Sequence, residues 1–176
     1  QLLEEWAWDP KVLQQFALHV DTGKPIPEKM VASMKAASEF GKGANIMRQI
    51  FYAAYSFYAH TMAPEQLDLA AHEARIYEKF SPYPAQEGTQ LYTSFGHLVG
   101  YSSGYYTYQW SLSIAKDLFT RFDKEGLDNL EVAKAYREEI LEPGGMKDAA
   151  KMVEGFLGRP YNLDAYRNWL QSGATK

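Results

Sequence analysis

Apolar residues recur at helical intervals along nearly the whole sequence, and this spacing limits the fold more than any other feature. No stretch alternates apolar and polar residues for long enough to indicate a sheet. The sequence therefore predicts an all-α fold with an irregular arrangement of many helices. The expected helices run from Pro10 to before Asp21, over about 27–40, from beyond Gly43 to Tyr58, and over about 65–80, 105–124, 130–141, 147–157 and 163–170.

Two helix starts carry capping signals. Asp9 precedes Pro10 and is the expected N-cap of the first helix, since proline suits a first helical turn. Asp128, with Glu131 three residues on, resembles a capping box for the helix over 130–141.

Two helices carry strong apolar faces. The third has apolar residues on so much of its surface that it is the expected central core helix, with Phe51 and Phe57 buried. The helix over 105–124 gives the clearest pattern, because one face carries Tyr108, Leu112, Ala115, Leu118, Phe119 and Phe122.

Length and charge restrict the class of protein. The chain has 176 residues, the size of a compact soluble domain, and a formal net charge of −4 that weighs against nucleic acid and anionic membranes as partners. It has no cysteine, so disulfides and thiol chemistry are excluded. No apolar run approaches the roughly 20 residues of a membrane span. A soluble, cytoplasmic protein is expected.

The four histidines do not form a metal motif. His72 and Glu73 begin like H-E-x-x-H, but Ile76 stands at the second ligand position. Asp68 and His72 lie four residues apart and favour an exposed helix pair over two metal ligands. His19 and His60 stand alone, and neither is given a role. No metal ligand is expected in this chain.

Other catalytic motifs are also missing. The sequence contains neither a Gly-x-Ser-x-Gly turn nor a phosphate-binding loop.

Residues 94–110 concentrate a histidine and several tyrosines in a glycine-rich segment. Tyr101, Tyr105 and Tyr108 follow i, i+4, i+7 spacing, so a helix reaching back to Tyr101 would place them on one face, near His97. Phenols and imidazoles are hydrogen-bond donors that suit a peptide carbonyl and the oxyanion formed from it. An aromatic core stripe is the alternative, although three glycines at four-residue intervals weaken a helix there.

This segment contains Ser-Phe-Gly-His-Leu at 94–98, followed by Gly-Tyr and Tyr-Tyr-x-Tyr. In these motifs it resembles the C-terminal part of the thimet oligopeptidase and neurolysin family of zinc metallopeptidases. The short step from His97 to Tyr101 looks more like the mitochondrial intermediate peptidase branch and its bacterial relatives. Further matches in the family's order are Glu4-Glu5-Trp6 with Pro10, Thr22-Gly23-Lys24-Pro25-Ile26-Pro27, Tyr136-Arg137, Ile140-Leu141, Pro143-Gly144-Gly145 and Phe156-Leu157-Gly158-Arg159.

The resemblance implies a helical, channelled, zinc-dependent enzyme that cleaves short unstructured peptides. In such enzymes H-E-x-x-H and a later glutamate hold the zinc, but this sequence lacks H-E-x-x-H. By the register of Glu4-Glu5-Trp6, the third ligand falls before Gln1, so Glu4 and Glu5 are its neighbours. Zinc is thus expected in the parent enzyme and not on residues of this chain.

The resemblance carries over four residues that face the substrate. Tyr101, Tyr105 and Tyr108 are expected to act in catalysis, and together with His97 to bind the peptide. Tyr106 is expected to face the opposite way and pack.

The resulting hypothesis treats residues 1–176 as the C-terminal segment of a peptidase catalytic domain. This segment supplies the substrate-binding and oxyanion-stabilising wall, while its partner, the upstream zinc-binding half, is missing. Alone it is expected to be inactive and to self-associate through exposed apolar surface. The alternative is a non-catalytic helical module that binds peptides or acts as a scaffold.

Overall fold

The computed structural model describes residues 1–172 and folds them into helices joined by short turns. Within these residues there is no β-strand, and one isolated antiparallel bridge joins Leu18 and Pro25. The all-α prediction is confirmed. The α-helices are α1 (Pro10–Leu13), α2 (Glu28–Glu39), α3 (Lys42–Ala59), α4 (Leu69–Phe80), α5 (His97–Gly100), α6 (Thr107–Glu125), α7 (Leu130–Tyr136), α8 (Ala149–Leu157) and α9 (Asp164–Gln171).

Short turns of other helical types connect these elements. The 3-10 turns are Leu3–Trp8, Pro64–Gln66, Leu91–Thr93, Gly104–Tyr106 and Gly144–Met146, and Arg137–Leu141 is a π-helical turn that extends α7. None of the described helices is both long and apolar enough to cross a membrane.

Tertiary contacts divide the chain into two compact units, which length and composition alone do not predict. The central unit is Gly41–Trp110 and contains α3, α4 and α5. The terminal unit combines Gln1–Phe40 with residues 111–172, and it contains most of α6.

The core of the terminal unit forms around the apolar face of α6. Phe122 is 2% exposed and packs edge-on against Trp6, with ring centroids 4.8 Å apart. The ring of Phe156 on α8 also contacts the Phe122 ring, with centroids 5.6 Å apart. Ala115, Leu118 and Phe122 of the predicted face are buried as expected. Leu112 and Phe119 are partly buried, and Tyr108 is 48% exposed, so the prediction is wrong for that end of the face.

A buried ion pair also stabilises the terminal unit. Asp117 on α6 is 1% exposed, and its two carboxylate oxygens accept hydrogen bonds from Arg159 at 2.6 and 3.0 Å. The backbone N–H of Asn162 donates to the same carboxylate at 2.9 Å. These bonds hold the segment after α8 against α6.

The core of the central unit lies between α3, α4 and the segment before α5. It contains the buried side chains of Phe51, Tyr55, Ile76 and Phe95. Phe57, expected in the core, is 45% exposed, so that prediction is wrong. The residues of α3 that face the core are fewer than its broad apolar pattern suggested.

The predicted Asp68 and His72 pair is also wrong. Asp68 is the N-cap of α4 and accepts a hydrogen bond from the backbone of Ala71 at 3.0 Å. His72 is 2% exposed, with Nε2 3.1 Å from the carbonyl of Tyr55 and Nδ1 2.9 Å from the guanidinium of Arg75. A carbonyl only accepts and a guanidinium only donates, so His72 is a buried neutral imidazole carrying its proton on Nε2.

The other helix boundaries differ in detail. Asp9 caps α1 as predicted, but α1 ends at Leu13 because the chain turns toward the Leu18 and Pro25 bridge. The cap of α7 is Asn129 in place of Asp128, because the Asn129 side chain accepts from the backbone of Glu131 at 3.0 Å.

Candidate functional site

The segment that precedes α6 reverses direction between Tyr101 and Gly104. Tyr101 ends α5, and Ser102 has a φ of 44°, the one positive value at a non-glycine position within residues 1–172. Because α6 begins only at Thr107, Tyr101, Tyr105 and Tyr108 do not share one helix. The condition for a shared helical face, a helix that reaches back to Tyr101, is therefore not met.

A buried serine holds this reversal in place. Ser56 on α3 is fully buried, and its hydroxyl donates to the carbonyl of Ser102 at 2.8 Å. The left-handed backbone at Ser102 is thus fixed by a side chain 46 residues earlier in the sequence.

His97 nevertheless brings the three tyrosines together. Its ring centroid lies 5.6 Å from that of Tyr101, 5.0 Å from Tyr105 and 5.9 Å from Tyr108. The Nε2 atom of His97 is 3.3 Å from the Tyr108 hydroxyl. We define these four residues as the tyrosine cluster, all of which belong to the central unit.

Tyr105 is the most enclosed phenol of the cluster. Its hydroxyl donates to Oε1 of Gln49 at 3.1 Å, and its ring packs against Tyr52 at 5.5 Å and Phe95 at 5.3 Å. Burial raises the pKa of Tyr105, and the phenols of Tyr52 and Tyr108 raise it further. Its proton is therefore retained at neutral pH and directed toward Gln49.

The other two phenols are more accessible. Tyr101 is 70% exposed and Tyr108 is 48% exposed. Tyr106, which was expected to pack, is 51% exposed and is no part of the cluster. The cluster thus combines one anchored phenol with two that solvent reaches, an arrangement suited to contacting a ligand.

Sequence reasoning missed the residues of α3 that support the cluster. Gln49, Tyr52 and Ser56 lie at intervals of three and four residues and so share one face of α3. Arg48 donates to the Tyr52 hydroxyl from two guanidinium nitrogens, at 3.2 and 3.0 Å, and this bond raises the pKa of Arg48. The sequence signal that could have found these residues is the spacing of polar side chains along an otherwise apolar helix.

The described residues do not fit a metal site. Within residues 1–172, no three His, Cys, Asp or Glu side chains are grouped closely enough to hold an ion. The remaining histidines make local bonds. The His19 ring accepts from the backbone of Asp21 at 3.2 Å, and Nδ1 of His60 lies 2.8 Å from the carbonyl of Ser56.

Comparison with known proteins gives consistent matches. Oligopeptidase A of Escherichia coli (strain K12) is 31% identical over 169 residues, which cover 94% of this chain and 25% of that protein. The mitochondrial intermediate peptidase of Arabidopsis thaliana is 31% identical over 159 residues, covering 90% of this chain and 22% of that protein. The human mitochondrial intermediate peptidase is 31% identical over 171 residues, covering 97% and 24%.

The chain therefore spans about a quarter of the length of the curated relatives it matches. Those relatives include bacterial and mitochondrial proteins, so the cytoplasmic location stays a prediction. The sequence model described as Peptidase family M3 matches residues 1–172, the same residues that build the tyrosine cluster and both units. The family resemblance is confirmed, and this chain belongs to peptidase family M3.

Proposed function

We propose that this chain is part of a zinc-dependent oligopeptidase and supplies the wall of its cleft that contacts short peptide substrates. The observation that carries the proposal is the contact of His97 with all three tyrosines in a chain of peptidase family M3. The zinc ligands then lie in other parts of the enzyme.

Within this wall, Tyr108 and Tyr101 are the proposed donors to the substrate. A phenol donates one hydrogen bond, and such a bond to a developing oxyanion strengthens as negative charge forms on the carbonyl oxygen. The contact between Tyr108 and His97 fixes where the Tyr108 oxygen lies. The high exposure of Tyr101 suits a residue that a bound peptide would cover.

Tyr105 has a different proposed role. The family resemblance implies the same catalytic role for it as for the other two, but its ring is enclosed by Tyr52 and Phe95 and its hydroxyl donates to Gln49. We therefore assign Tyr105 to positioning, because its ring packs against Tyr108 as well as against the aromatic core rings of Tyr52 and Phe95.

Zinc enters this proposal only through the family. Because the described residues offer no group of metal ligands, none of the roles above involves holding the ion. We expect the 176-residue chain to neither bind zinc stoichiometrically nor hydrolyse peptides. Metal analysis and a fluorogenic-peptide assay test this, and tight zinc or clear hydrolysis by this chain would contradict it.

Four large apolar side chains support packing against other parts of the peptidase. Val20, Phe40, Val99 and Met146 are 88 to 94% exposed, and each could be covered by another part of the enzyme. The proposed partner is the remainder of the enzyme. Sedimentation of the 176-residue chain should show self-association that disappears when that remainder is present.

The test of the catalytic role is Tyr108→Phe in the full peptidase that contains this chain. Loss of one oxyanion donor lowers kcat by about 100- to 1,000-fold, whereas the free energy of unfolding should change little. Tyr106→Phe is the matched control, since Tyr106 is similarly exposed but outside the cluster. An unchanged kcat for Tyr108→Phe would show that the cluster is only packing.

A non-catalytic peptide-binding module is the second candidate, favoured by the missing metal ligands within residues 1–172. Titration of the 176-residue chain with a fluorescent peptide distinguishes the two. Binding that is lost in Tyr101→Phe, in a protein that never gains hydrolytic activity, would support the module.

A further inference from the structure

A pocket opens in the central unit beside the tyrosine cluster. It has a volume of about 470 Å³, within the range of about 300–1,000 Å³ that small ligands occupy. Its walls include the aromatic rings of Phe51, Tyr52 and Tyr77, and the Glu73 carboxylate also lines it. Tyr52 connects this pocket to the tyrosine cluster, since its ring also packs on that of Tyr105 at a centroid distance of 5.5 Å.

The Glu73 carboxylate is buried, and only one of its two oxygens accepts a short hydrogen bond. The side chain is 4% exposed, and its Oε2 atom accepts from the backbone N–H of Leu91 at 2.9 Å. Its Oε1 atom is 3.5 Å from the Thr89 hydroxyl, but that hydroxyl has one proton and lies closer to the carbonyl of Gln86, at 2.8 Å. One carboxylate oxygen therefore remains open to a further donor.

No cation within residues 1–172 pairs with Glu73. Arg48, whose guanidinium carbon lies 5.6 Å from the centre of the Tyr52 ring, does not line the pocket. Buried carboxylates are normally paired or ligated, because burial in isolation is costly. The open oxygen and the missing partner together indicate a cationic ligand.

The walls suit a cation that carries an apolar stem. Aromatic faces attract ammonium and guanidinium groups, and the methylenes of lysine or arginine pack well on rings. The Tyr52 ring at the edge of this pocket packs on Tyr105, which in turn packs on Tyr108, so the pocket lies close to a phenol that is proposed to contact the substrate.

We propose that the pocket lined by Glu73, Phe51, Tyr52 and Tyr77 binds a cationic group of the peptide substrate and so sets its specificity. This inference rests on the proposed peptidase function. The cation is either a lysine or arginine side chain or the peptide's own N-terminal ammonium.

The experiment compares cleavage of matched peptides by the full peptidase. Each peptide carries lysine or norleucine at one position in turn, with the N-terminus either free or acetylated. At one position the wild type should prefer lysine by roughly tenfold or more in kcat/KM, since a hydrogen bond between charged groups is stronger than a neutral one. A preference that acetylation removes instead identifies the N-terminal ammonium.

The variant Glu73→Gln separates charge from structure. A glutamine oxygen still accepts from Leu91, while the negative charge is gone, so the ratio of kcat/KM for the lysine peptide to that for the norleucine peptide should fall to near one. The control is Glu78→Gln, which removes the same charge from an exposed position on α4.

The outcomes distinguish the two proposals. Equal cleavage of cationic and neutral peptides by the wild type overturns the pocket inference and leaves the peptidase function standing, whether or not Glu73→Gln folds. The same holds if Glu73→Gln folds and keeps the full preference. Failure of the wild-type enzyme to cleave any of the peptides overturns both.

Discussion

The buried carboxylates of the two units differ in how completely they are hydrogen-bonded. In the terminal unit, Asp117 has donors on both oxygens from Arg159 and Asn162, so its network is closed. In the central unit, Glu73 keeps one oxygen without a committed donor, and the Tyr55 hydroxyl has no hydrogen-bond partner within residues 1–172. A closed network is typical of structural stabilisation, whereas an open one at a pocket favours ligand binding.

The largest effect is expected from opening the closed network. Asp117→Asn leaves Arg159 without a counter-charge and should lower the free energy of unfolding by about 3 kcal/mol, the low end for a buried pair because Arg159 is 40% exposed. Urea denaturation measures this loss. Glu138→Gln, which breaks an exposed pair with Lys134, should cost less than about 0.5 kcal/mol. Equal losses in the two variants would contradict a structural role for the Asp117 network.

A smaller effect, on catalysis, is expected from the support of the tyrosine cluster. Gln49→Met removes the acceptor of the Tyr105 hydroxyl and should lower kcat of the full peptidase by roughly tenfold, with a smaller change in KM. Gln49→Glu keeps an acceptor and should retain more of the activity.

A double-mutant cycle sharpens this prediction. If Gln49 acts through Tyr105, then Gln49→Met should have little further effect in a Tyr105→Phe background. Fully additive losses would mean that Gln49 acts elsewhere.

The smallest effect is expected at Tyr55. Tyr55→Phe removes a buried hydroxyl that lacks a partner, so at neutral pH the free energy of unfolding should stay the same or rise by up to about 1 kcal/mol. Thermal and urea unfolding at pH 7 check it, and a clear destabilisation would reveal a bond from that hydroxyl.

The same variant should change the alkaline limit of stability. Burial raises the pKa of Tyr55 to about 12, and the Glu73 charge contributes. Above pH 10 the Tyr55 phenol loses its proton in the unfolded chain but keeps it in the folded protein. The contribution of Tyr55 to the free energy of unfolding is therefore full below pH 10 and is lost as pH rises toward 12. Tyr55→Phe should therefore lose less stability over that window, and identical alkaline profiles would exclude the effect.

Local spacing predicted what depends on local interactions. The buried face of α6 and the Asp9 cap followed from periodicity and capping chemistry. The family resemblance singled out His97 and the three tyrosines, and the structure brings these four side chains together. The helix that would have reached back to Tyr101 does not form.

The spacing of residues along the sequence does not predict hydrogen bonds between distant parts of the chain. Gln49 and Tyr105 are 56 residues apart, and Asp117 and Arg159 are 42 apart. A polar side chain in a helical pattern gives no sign of its distant partner. For the same reason the prediction of an exposed His72 is wrong, since its two ring nitrogens bond to Tyr55 and Arg75 inside the central unit.

The most direct measurement is the affinity of the full peptidase for a phosphinic peptide, whose tetrahedral group mimics the transition state of peptide hydrolysis. Because a donor to the oxyanion binds the transition state more strongly than the substrate, Tyr108→Phe should weaken inhibition by about 100-fold or more. KM for the matching peptide should change little. Equal inhibition of Tyr108→Phe and the wild-type enzyme would contradict a catalytic role for the tyrosine cluster.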